Sequence, residues 1–398
     1  MSKRDTSIVL FSTADWDEPY WTNKQHTAQS LSKLGFFIVY VESIGLRTPK
    51  IGSSKDIKRI CNRIFSGLKT FLFGAVKKES NIVVLSPLVI PNANDNKLVS
   101  KVNDVILTYL IRREIKKANN RKSLFWTYHP FVINILSYLN NEKIIYHCVD
   151  DLSQIPGIDE KKFRLKEELF LSKCDCVFVT TKSLEKRCKE FNNNVYFFSN
   201  VVDYEHFSNP SMLHSNIDKI GSIKNNNRKK IVYHGVLSDF KVDFNLLKEV
   251  AKKCSEYDFY IIGQEREGQN SVIFNELILF PNVYHISYVP YRDLPELLSF
   301  MDVGILPTLL NQYTYSMFPM KYYEYVAAKL PVVSTPLDFT SYTQNESLNV
   351  AIDSNEFINK IKTSIKTGKL SESVAKEIVG ENTWSSRTQK MINIIEGL

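Results

Sequence analysis

The sequence lacks the apolar run of about 18 residues that a membrane-spanning helix needs, and its N-terminus lacks the apolar core of a signal peptide. We therefore expect a cytoplasmic protein. The six cysteines include no Cys-x-x-Cys pair and the seven histidines form no cluster, so a zinc site is disfavoured and buried free thiols are expected. A net charge of +8 favours an anionic partner but does not choose among membrane, nucleotide and nucleic acid.

Three further patterns are missing. No Gly-x-Gly-x-x-Gly follows the first predicted strand, which weakens the case for a dinucleotide-dependent oxidoreductase. Internal repeats and low-complexity tracts are absent, which argues against a scaffold protein. The basic residues are not interleaved with aromatic ones on a recognised module, so nucleic-acid binding is disfavoured. The composition, with 43% hydrophobic residues, is that of a globular protein. A chain of 398 residues is long enough for two or three domains.

Strands and helices alternate along the chain. The apolar strand Ile8–Ser12, a helix that Thr22 and Gln25 can cap, and the strand Phe36–Glu42 form a first βαβ unit. This rhythm predicts an α/β protein with two Rossmann-like, doubly wound domains. The predicted divisions are a first domain at 1–207, a polar linker at 208–230, a second domain at 231–382 and a final helix at 383–398.

The stretch Ser316–Pro336 carries the clearest signal for a binding site. It predicts a loop, a helix over Met320–Lys329 and a short buried strand after Pro331. Lys321 and Glu324 lie three residues apart, on one face of the first helical turns. A nucleotide diphosphate needs a cation for its phosphates and a carboxylate for its ribose hydroxyls, which this lysine and glutamate could supply. The alternative interpretation is an ordinary Lys/Glu pair on the surface of a helix.

The same stretch resembles the nucleotide-sugar signature of GT-B glycosyltransferases, in which two glutamates stand eight positions apart. Glu324 matches the second glutamate, the ribose ligand of that family, whereas Ser316 replaces the first. The segment Pro-Met-Lys-Tyr-Tyr-Glu-Tyr is similar to a bacterial subgroup that includes the xanthan glucuronosyltransferase and teichuronic-acid transferases. In that subgroup the Met-Lys pair contacts the nucleotide, which implies this role for Met320 and Lys321.

The resemblance extends over nearly the whole chain, and it implies a GT-B fold whose two domains face a cleft. Retaining members carry Gly-Arg-Leu and then a lysine after the first strand of the second domain. The matching residues here are Gly235, Val236 in place of the arginine, and Lys241. Because two groups of the retaining enzymes are missing, we expect an inverting enzyme. The implied donor-binding residues are Gly235, Lys241, Ser316, Met320, Lys321 and Glu324.

The resemblance places the loop after the first strand on the acceptor side. Aromatic and ionisable residues there could bind a sugar, although a loop that packs on itself is the alternative, and His129 could equally be a core histidine. The acceptor-binding candidates are Asp15, Trp16, Trp21, His26 and His129, with Lys24 in the same helix. Asp150 and Asp151 end a strand of the first domain, where such sheets carry their chemistry, so one of them is the expected base, with Asp17 as a rival.

Residues 57–78 interrupt the α/β rhythm. Apolar residues recur at helical spacing and basic residues flank them, with no acidic residue in the span. This composition predicts a helix lying on an anionic membrane surface, at the inner face of the cell membrane, and a core-packed helix is the alternative.

Together these features predict a glycosyltransferase that moves a sugar from a nucleotide sugar, with a UDP-sugar favoured, to a glycan or lipid-linked acceptor in bacterial surface polysaccharide synthesis. No Asp-x-Asp motif lies in the second domain, so we expect metal-independent transfer, and no cofactor, because the nucleotide sugar is a substrate. The alternatives are a retaining transferase, a UDP-sugar 2-epimerase and an inactive subunit that binds a nucleotide sugar.

Overall fold

The computed structural model describes residues 5–43, 65–87, 97–119, 122–139, 142–210, 223–265 and 269–398. The chain divides into two units, one formed by Met1–Phe198 with Ser385–Leu398 and the other by Ser199–Trp384. Each unit has a largely parallel sheet flanked by helices, so the predicted class of two Rossmann-like α/β domains is confirmed.

The first unit contains an eight-stranded sheet of order β3-β4-β2-β1-β5-β6-β7-β8, in which β3 and β4 pair antiparallel and the other neighbours are parallel. The strands are β1 Thr6–Phe11, β2 Phe37–Val41, β3 Val76–Glu79, β4 Ile82–Leu85, β5 Lys122–Thr127, β6 Lys143–Cys148, β7 Cys176–Val179 and β8 Val195–Phe197. The helices are α1 Asn23–Lys33, α2 at residues 65–73, α3 Lys97–Lys117, α4 Glu160–Leu171 and α5 Lys182–Lys189, with short 3-10 helices at Pro130–Ser137 and Leu152–Gln154.

Continuous apolar runs explain the position of the central strands. Every residue of β1 is buried, which is the pattern of a parallel strand with helices over both faces. The helix that follows begins where the sequence predicts, because the Gln25 side chain accepts a hydrogen bond from the Thr22 backbone N–H at 3.1 Å. The loop between β1 and α1 therefore lies at the carboxyl edge of the sheet, as do the ends of β5 and β6.

The second unit contains a six-stranded parallel sheet of order β11-β10-β9-β12-β13-β14. The strands are β9 Lys230–His234, β10 Asp258–Ile262, β11 Val283–Ile286, β12 Val303–Leu306, β13 Val332–Ser334 and β14 Leu348–Val350. The helices are α6 Tyr204–Ser208, α7 Phe244–Lys253, α8 Val272–Leu277, α9 Leu294–Ser299, α10 Gln312–Tyr315, α11 Met320–Ala327, α12 Ser354–Thr367 and α13 Glu372–Val379, with 3-10 helices at Tyr291–Asp293 and Asp338–Ser341.

The second unit begins earlier than the sequence predicts. Val202, Phe207 and Ile223 are buried in the same apolar cluster as α11, so the segment before residue 208 packs with the second sheet. The sequence does not show this packing, because charged and hydroxyl-bearing residues lie between the three buried apolar ones. Residues 211–222 of the predicted linker lie outside the described residues.

The segment predicted as one helix over 57–78 has a different structure, and that prediction is wrong at its C-terminal end. Helix α2 includes residues 65–73, Gly74 follows with φ of +97°, and Val76–Glu79 form the edge strand β3. A positive φ is the usual conformation of a glycine that ends a helix, so the chain turns at Gly74 and pairs with β4. Residues 57–64 lie outside the described residues.

The last helix, α14 Trp384–Gly397, begins at the end of the second unit and continues as part of the first. Met391, Ile392 and Ile395 are buried in the apolar cluster that contains β1 residues Ile8 and Leu10. Among the described residues, none of the helices has the length and apolarity needed to cross a bilayer. The cysteines within the described ranges are buried free thiols, as expected: Cys148, Cys174, Cys176, Cys188 and Cys254.

Candidate active site

The end of β9 and the start of α11 meet in the second unit. Gly235 follows β9 with φ of +126°, and a Cβ atom there would lie 2.6 Å from the Lys321 Nζ atom. A side chain at residue 235 would therefore displace the Lys321 ammonium as well as strain the backbone. The structure thus brings together Gly235 and Lys321, two of the predicted donor-binding residues.

Glu324 lies one helical turn from Lys321 and is 7% exposed. Burial raises the pKa of the Glu324 carboxyl to about 7, although the neighbouring Lys321 ammonium opposes the shift. Burial also lowers the pKa of Lys321, which Glu324 partly offsets. No hydrogen bond to the Glu324 carboxylate comes from the described residues, so its oxygens are available to hydroxyl groups of a ligand.

His234 is a part of this site that sequence reasoning missed. Its Nε2 atom lies 3.3 Å from a Glu324 oxygen, without the alignment of a hydrogen bond, and burial lowers the pKa of the imidazole well below its ordinary value. The His234 backbone N–H donates to the Tyr325 hydroxyl at 3.1 Å, which joins the end of β9 to α11. In the sequence, only its position next to Gly235 indicated that His234 belongs to the site.

The other predicted donor-binding residues lie at the start of α11 or in contact with the short helix α10. Met320 is the first residue of α11 and is half-buried, and Ser316 is buried at the end of α10. Lys241 contacts α10: its Nζ atom donates to the Tyr313 hydroxyl at 3.2 Å and lies 4.7 Å from the centre of that ring. Lys241 is therefore held by Tyr313.

The two neighbouring aspartates after β6 have different surroundings. One carboxylate oxygen of Asp151 accepts hydrogen bonds from the Ser153 hydroxyl at 2.6 Å and the Ser153 backbone N–H at 3.2 Å. The other lies 2.7 Å from both Arg164 and Arg187. Burial alone would raise the pKa of Asp151, but these partners hold it below its ordinary value. The Asp151 carboxylate is thus engaged in contacts that hold the loop after β6 in place.

Asp150 is half-buried, and the described residues provide no hydrogen bond to its carboxylate. Its charge raises the pKa of Lys24, so the two side chains attract each other. The rival base Asp17 is exposed and binds Lys78 of β3 through both oxygens, at 2.9 and 2.8 Å. Of the three carboxylates, Asp150 is the one that remains available to a substrate hydroxyl.

The predicted acceptor residues separate into packed and accessible groups. Trp16 is 5% exposed and packs edge-on against Tyr40 and Trp21, so its ring supports the loop and cannot stack on a sugar. Trp21 is half-buried and contacts His26 edge-on, which leaves it the more accessible ring. The Asp15 carbonyl accepts a hydrogen bond from Gln25 at the start of α1, so the backbone of this residue also supports the loop.

His129 follows β5 and is 1% exposed. Neither ring nitrogen makes a hydrogen bond to a described residue, and burial lowers the pKa of the imidazole to about 3. It is a neutral histidine at the edge of the core, which was the alternative to a binding role. Within the described ranges, no group of three or more histidine, cysteine, aspartate or glutamate side chains could hold a metal ion.

The sequence of the second unit carries a family match. Residues 228–367 match the family described as Glycosyl transferases group 1. Every predicted donor-binding residue from Gly235 to Glu324 lies within the matched segment.

One curated protein that this chain is similar to is TuaH of Bacillus subtilis (strain 168), a proposed teichuronic acid biosynthesis glycosyltransferase. The two chains are 27% identical over 241 residues, which are 57% of this chain and 59% of TuaH. The match therefore spans about three fifths of the length of that relative, and it supports the predicted resemblance to the teichuronic-acid subgroup.

Solved structures confirm the predicted GT-B fold. Sucrose-phosphate synthase of Thermosynechococcus elongatus superposes with a TM-score of 0.70 at 12% identity and covers 98% of both chains. HepE of Anabaena, solved with UDP and glucose, has a TM-score of 0.68 at 11% identity, with 98% of this chain and 100% of that chain covered. WaaG, a glycosyltransferase involved in lipopolysaccharide biosynthesis, has a TM-score of 0.61 at 10% identity, with 98% and 100% covered. At these identities the likeness concerns the fold.

Proposed function

We propose that the protein is a glycosyltransferase that transfers a sugar from a UDP-sugar to a glycan or lipid-linked acceptor in bacterial surface polysaccharide synthesis. The observation that carries the proposal is the buried Glu324 carboxylate beside Lys321, at the end of β9. Two relatives in fold and sequence, HepE with bound UDP-glucose and TuaH named for teichuronic acid synthesis, support the donor and the pathway class.

The donor would bind with its ribose hydroxyls on Glu324 and its diphosphate near Lys321. Ionised acceptors make the stronger hydrogen bonds, which suits a carboxylate that lacks a protein donor. During transfer the bond between the anomeric carbon and the phosphate oxygen breaks, and negative charge grows on the leaving UDP. The Lys321 ammonium offsets that charge, which is the role that a metal ion has in other transferases.

The acceptor hydroxyl would lose its proton to Asp150 as its oxygen attacks the anomeric carbon. Asp151 is occupied by Ser153 and two arginines, so we assign it to the fold and Asp150 to the base. A single base with direct attack inverts the anomeric configuration. A retaining reaction remains the rival within the same proposal, and the configuration of the product decides between them.

We propose further that the protein attaches to the inner face of the cell membrane through α2 and α3. The exposed apolar side chains are Phe65, Leu68, Phe71, Leu72 and Phe73 of α2, with Leu98, Val102, Val105 and Tyr109 of α3. The α3 residues recur at spacings of three and four, so they form one stripe. Lys69 lies in α2, Lys101 and Lys116 lie in α3, and Lys77 lies in the neighbouring strand β3, which favours an anionic lipid surface as the partner.

Binding and turnover of UDP-sugars test the enzymatic proposal. Calorimetry with UDP-glucose and other UDP-sugars should reveal at least one ligand, and Glu324→Ala should weaken it about 10–100-fold, the value of a hydrogen bond to a charged group. Lys321→Ala should lower kcat as well as affinity, because charge develops in the transition state. Exposed Glu276→Ala, in α8, is the matched control and should bind as the wild type does.

Two outcomes would favour the other candidate functions. Turnover of the UDP-sugar without any acceptor would identify a 2-epimerase. Tight binding with no transfer to any lipid-linked or glycan acceptor would favour an inactive nucleotide-sugar-binding subunit. If both site variants bind as well as the wild type, the nucleotide does not occupy this site and the proposal fails.

A further inference from the structure

The second sheet reverses its strand order between β9 and β12, and these two strands pair over fewer residues than β9 and β10 do. β9 pairs with β10 as far as His234, whereas its pairing with β12 ends at Val232 and Gly304. Ligands of doubly wound sheets bind outside the carboxyl ends of the strands, where the strand order reverses. The ends of β9 and β12 are therefore the place in this unit where a ligand is expected.

The hydroxyl of Tyr325, in α11, binds the backbone of β9 where the pairing with β12 ends. It accepts a hydrogen bond from the His234 N–H at 3.1 Å and donates one to the Val232 carbonyl at 3.3 Å. The N–H of the next residue, Gly235, donates to the Ile262 carbonyl of β10. Since successive residues of a strand direct their backbone groups to opposite sides, the His234 N–H faces the side of β12. Tyr325 thus supplies a partner for a backbone group beyond the last β9–β12 pair.

Gly304 of β12 makes room for the Tyr325 ring. A Cβ atom on Gly304 would lie 2.5, 2.6 and 2.9 Å from three atoms of that ring, so any larger residue there would displace it. Tyr325 is fully buried, and burial raises the pKa of its hydroxyl well above the ordinary value, so the phenol keeps the proton that it donates. The position of the hydroxyl is therefore fixed by packing on β12 as well as by two hydrogen bonds to β9.

The part of β9 that Tyr325 holds is the part that contacts the donor-binding residues of α11. The His234 ring lies edge-on to the Tyr325 ring, with 5.0 Å between centroids, and its Nε2 atom is 3.3 Å from a Glu324 oxygen. Gly235, the next residue, is the one that leaves space for the Lys321 ammonium. A shift of the end of β9 relative to α11 would therefore change both contacts at once.

We propose that Tyr325 is a positioning residue for the donor nucleotide, because it holds the end of β9 in place beside the Lys321–Glu324 pair. The inference rests on the proposed binding of a UDP-sugar at this site. Tyr325 itself makes no contact with the nucleotide in this scheme and acts through the backbone of His234. Loss of its hydroxyl should therefore lower the affinity for the nucleotide, although every group that binds the nucleotide is still present.

The test compares two tyrosines of α11, each of which loses one buried hydroxyl in the full chain. Tyr325→Phe keeps the ring against Gly304 and removes the partner of the β9 backbone. Tyr322→Phe is the matched control, because Tyr322 is equally buried and its hydroxyl contacts Asn345 and Ser347, before β14. UDP is the probe, since it carries the ribose and diphosphate of every UDP-sugar. Both variants should lower Tm, but Tyr325→Phe alone should weaken UDP binding, by about tenfold.

Amide hydrogen exchange gives a second readout, in which the His234 N–H should exchange faster in Tyr325→Phe and not in Tyr322→Phe. Faster exchange with unchanged UDP affinity would show that Tyr325 serves the fold alone and would overturn the proposal. An equal loss of UDP affinity in both variants would also overturn it, because general destabilisation of α11 would then be the cause. In both cases the wild type still binds UDP. A wild type that binds neither UDP nor a UDP-sugar would instead contradict the proposed function, and this inference with it.

Discussion

The pKa of Glu324 connects its burial to the pH dependence of donor binding. Because the folded state holds its proton up to about pH 7, against an ordinary value of 4.5, this group makes the fold less stable as pH rises between those values. The ionised form is the stronger hydrogen-bond acceptor for ribose hydroxyls. His234 stays neutral in this range, and burial keeps Tyr291, another titratable group near Glu324, protonated.

We therefore expect the affinity for a UDP-sugar to rise with pH from 6 to 8, by about tenfold for a charge-assisted bond. The diphosphate of a UDP-sugar does not titrate in that range, which makes it a better probe than UDP. Calorimetry of the wild type and Glu324→Gln measures the effect, since glutamine keeps the shape and cannot ionise. A step of equal size in the glutamine variant would show that another group is responsible.

The adjacent aspartates should respond differently to the same substitution. Asp150→Asn should lower kcat by about 100-fold or more, the typical contribution of a general base, with donor affinity unchanged. Asp151→Asn removes one of the two carboxylates that Arg164 and Arg187 share, Glu167 being the other, so we expect it to lower the free energy of unfolding by about 2 kcal/mol, the value of hydrogen bonds to a charged group. Transfer kinetics and denaturant unfolding of both variants separate the roles. Full activity of Asp150→Asn would return the assignment to Asp17.

At the scale of elements, the first unit shows what periodicity can and cannot reveal. The central strands were predictable because runs such as residues 8–11 are apolar throughout, and α1 because Thr22 and Gln25 define its start. The end of α2 was not, because an isolated glycine inside an apolar helical pattern is often tolerated and does not by itself mark the end of a helix. Here Val76, two residues after Gly74, pairs with β4.

The exposed stripe of α3 was also missed, since the same apolar pattern describes a buried face. Residues Leu107, Leu110 and Ile111 do pack into the core, whereas Val102 and Tyr109 do not. Which apolar face of a helix is covered depends on the neighbouring elements, and these are not encoded in the spacing itself. The membrane hypothesis for residues 57–78 thus extends to a second helix.

Vesicle binding tests the α2 and α3 surface. The wild type should sediment with vesicles that contain anionic lipid, and less at high salt, because basic residues supply part of the attraction. Replacing Phe71, Leu72 and Phe73 with serine should remove most of the binding. The matched control replaces Val272 and Leu279 with serine, two similarly exposed apolar residues of the second unit. Wild-type protein that stays in the supernatant at low salt would contradict membrane attachment.

For the whole molecule, the donor residues were predictable in part because they lie within the one matched segment, residues 228–367. The carboxyl edge of the first sheet, in contrast, is formed by segments that are distant in the sequence. Tyr128, Lys24 and Arg387 meet only because α14 returns to the first sheet. The sequence identified Arg387 as part of a final helix, but no local pattern places its guanidinium beside α1. Long-range contacts of this kind require the fold.

The position of α14 leads to a last prediction, about which unit depends on the C-terminus. Ile392 is fully buried in the first unit, so Ile392→Asp would place a charge in that core and should destabilise it by several kcal/mol. Asn393→Asp introduces the same side chain at the next, exposed position of the helix and is the control. Amide hydrogen exchange resolved along the chain measures the effect, with the amides of β9 and β12 as internal reference. We expect exchange to accelerate in β1 and β5 for Ile392→Asp alone, since these strands pack in the unit that α14 completes. Unchanged protection of β1 in that variant would show that the first sheet does not need the last helix for its stability.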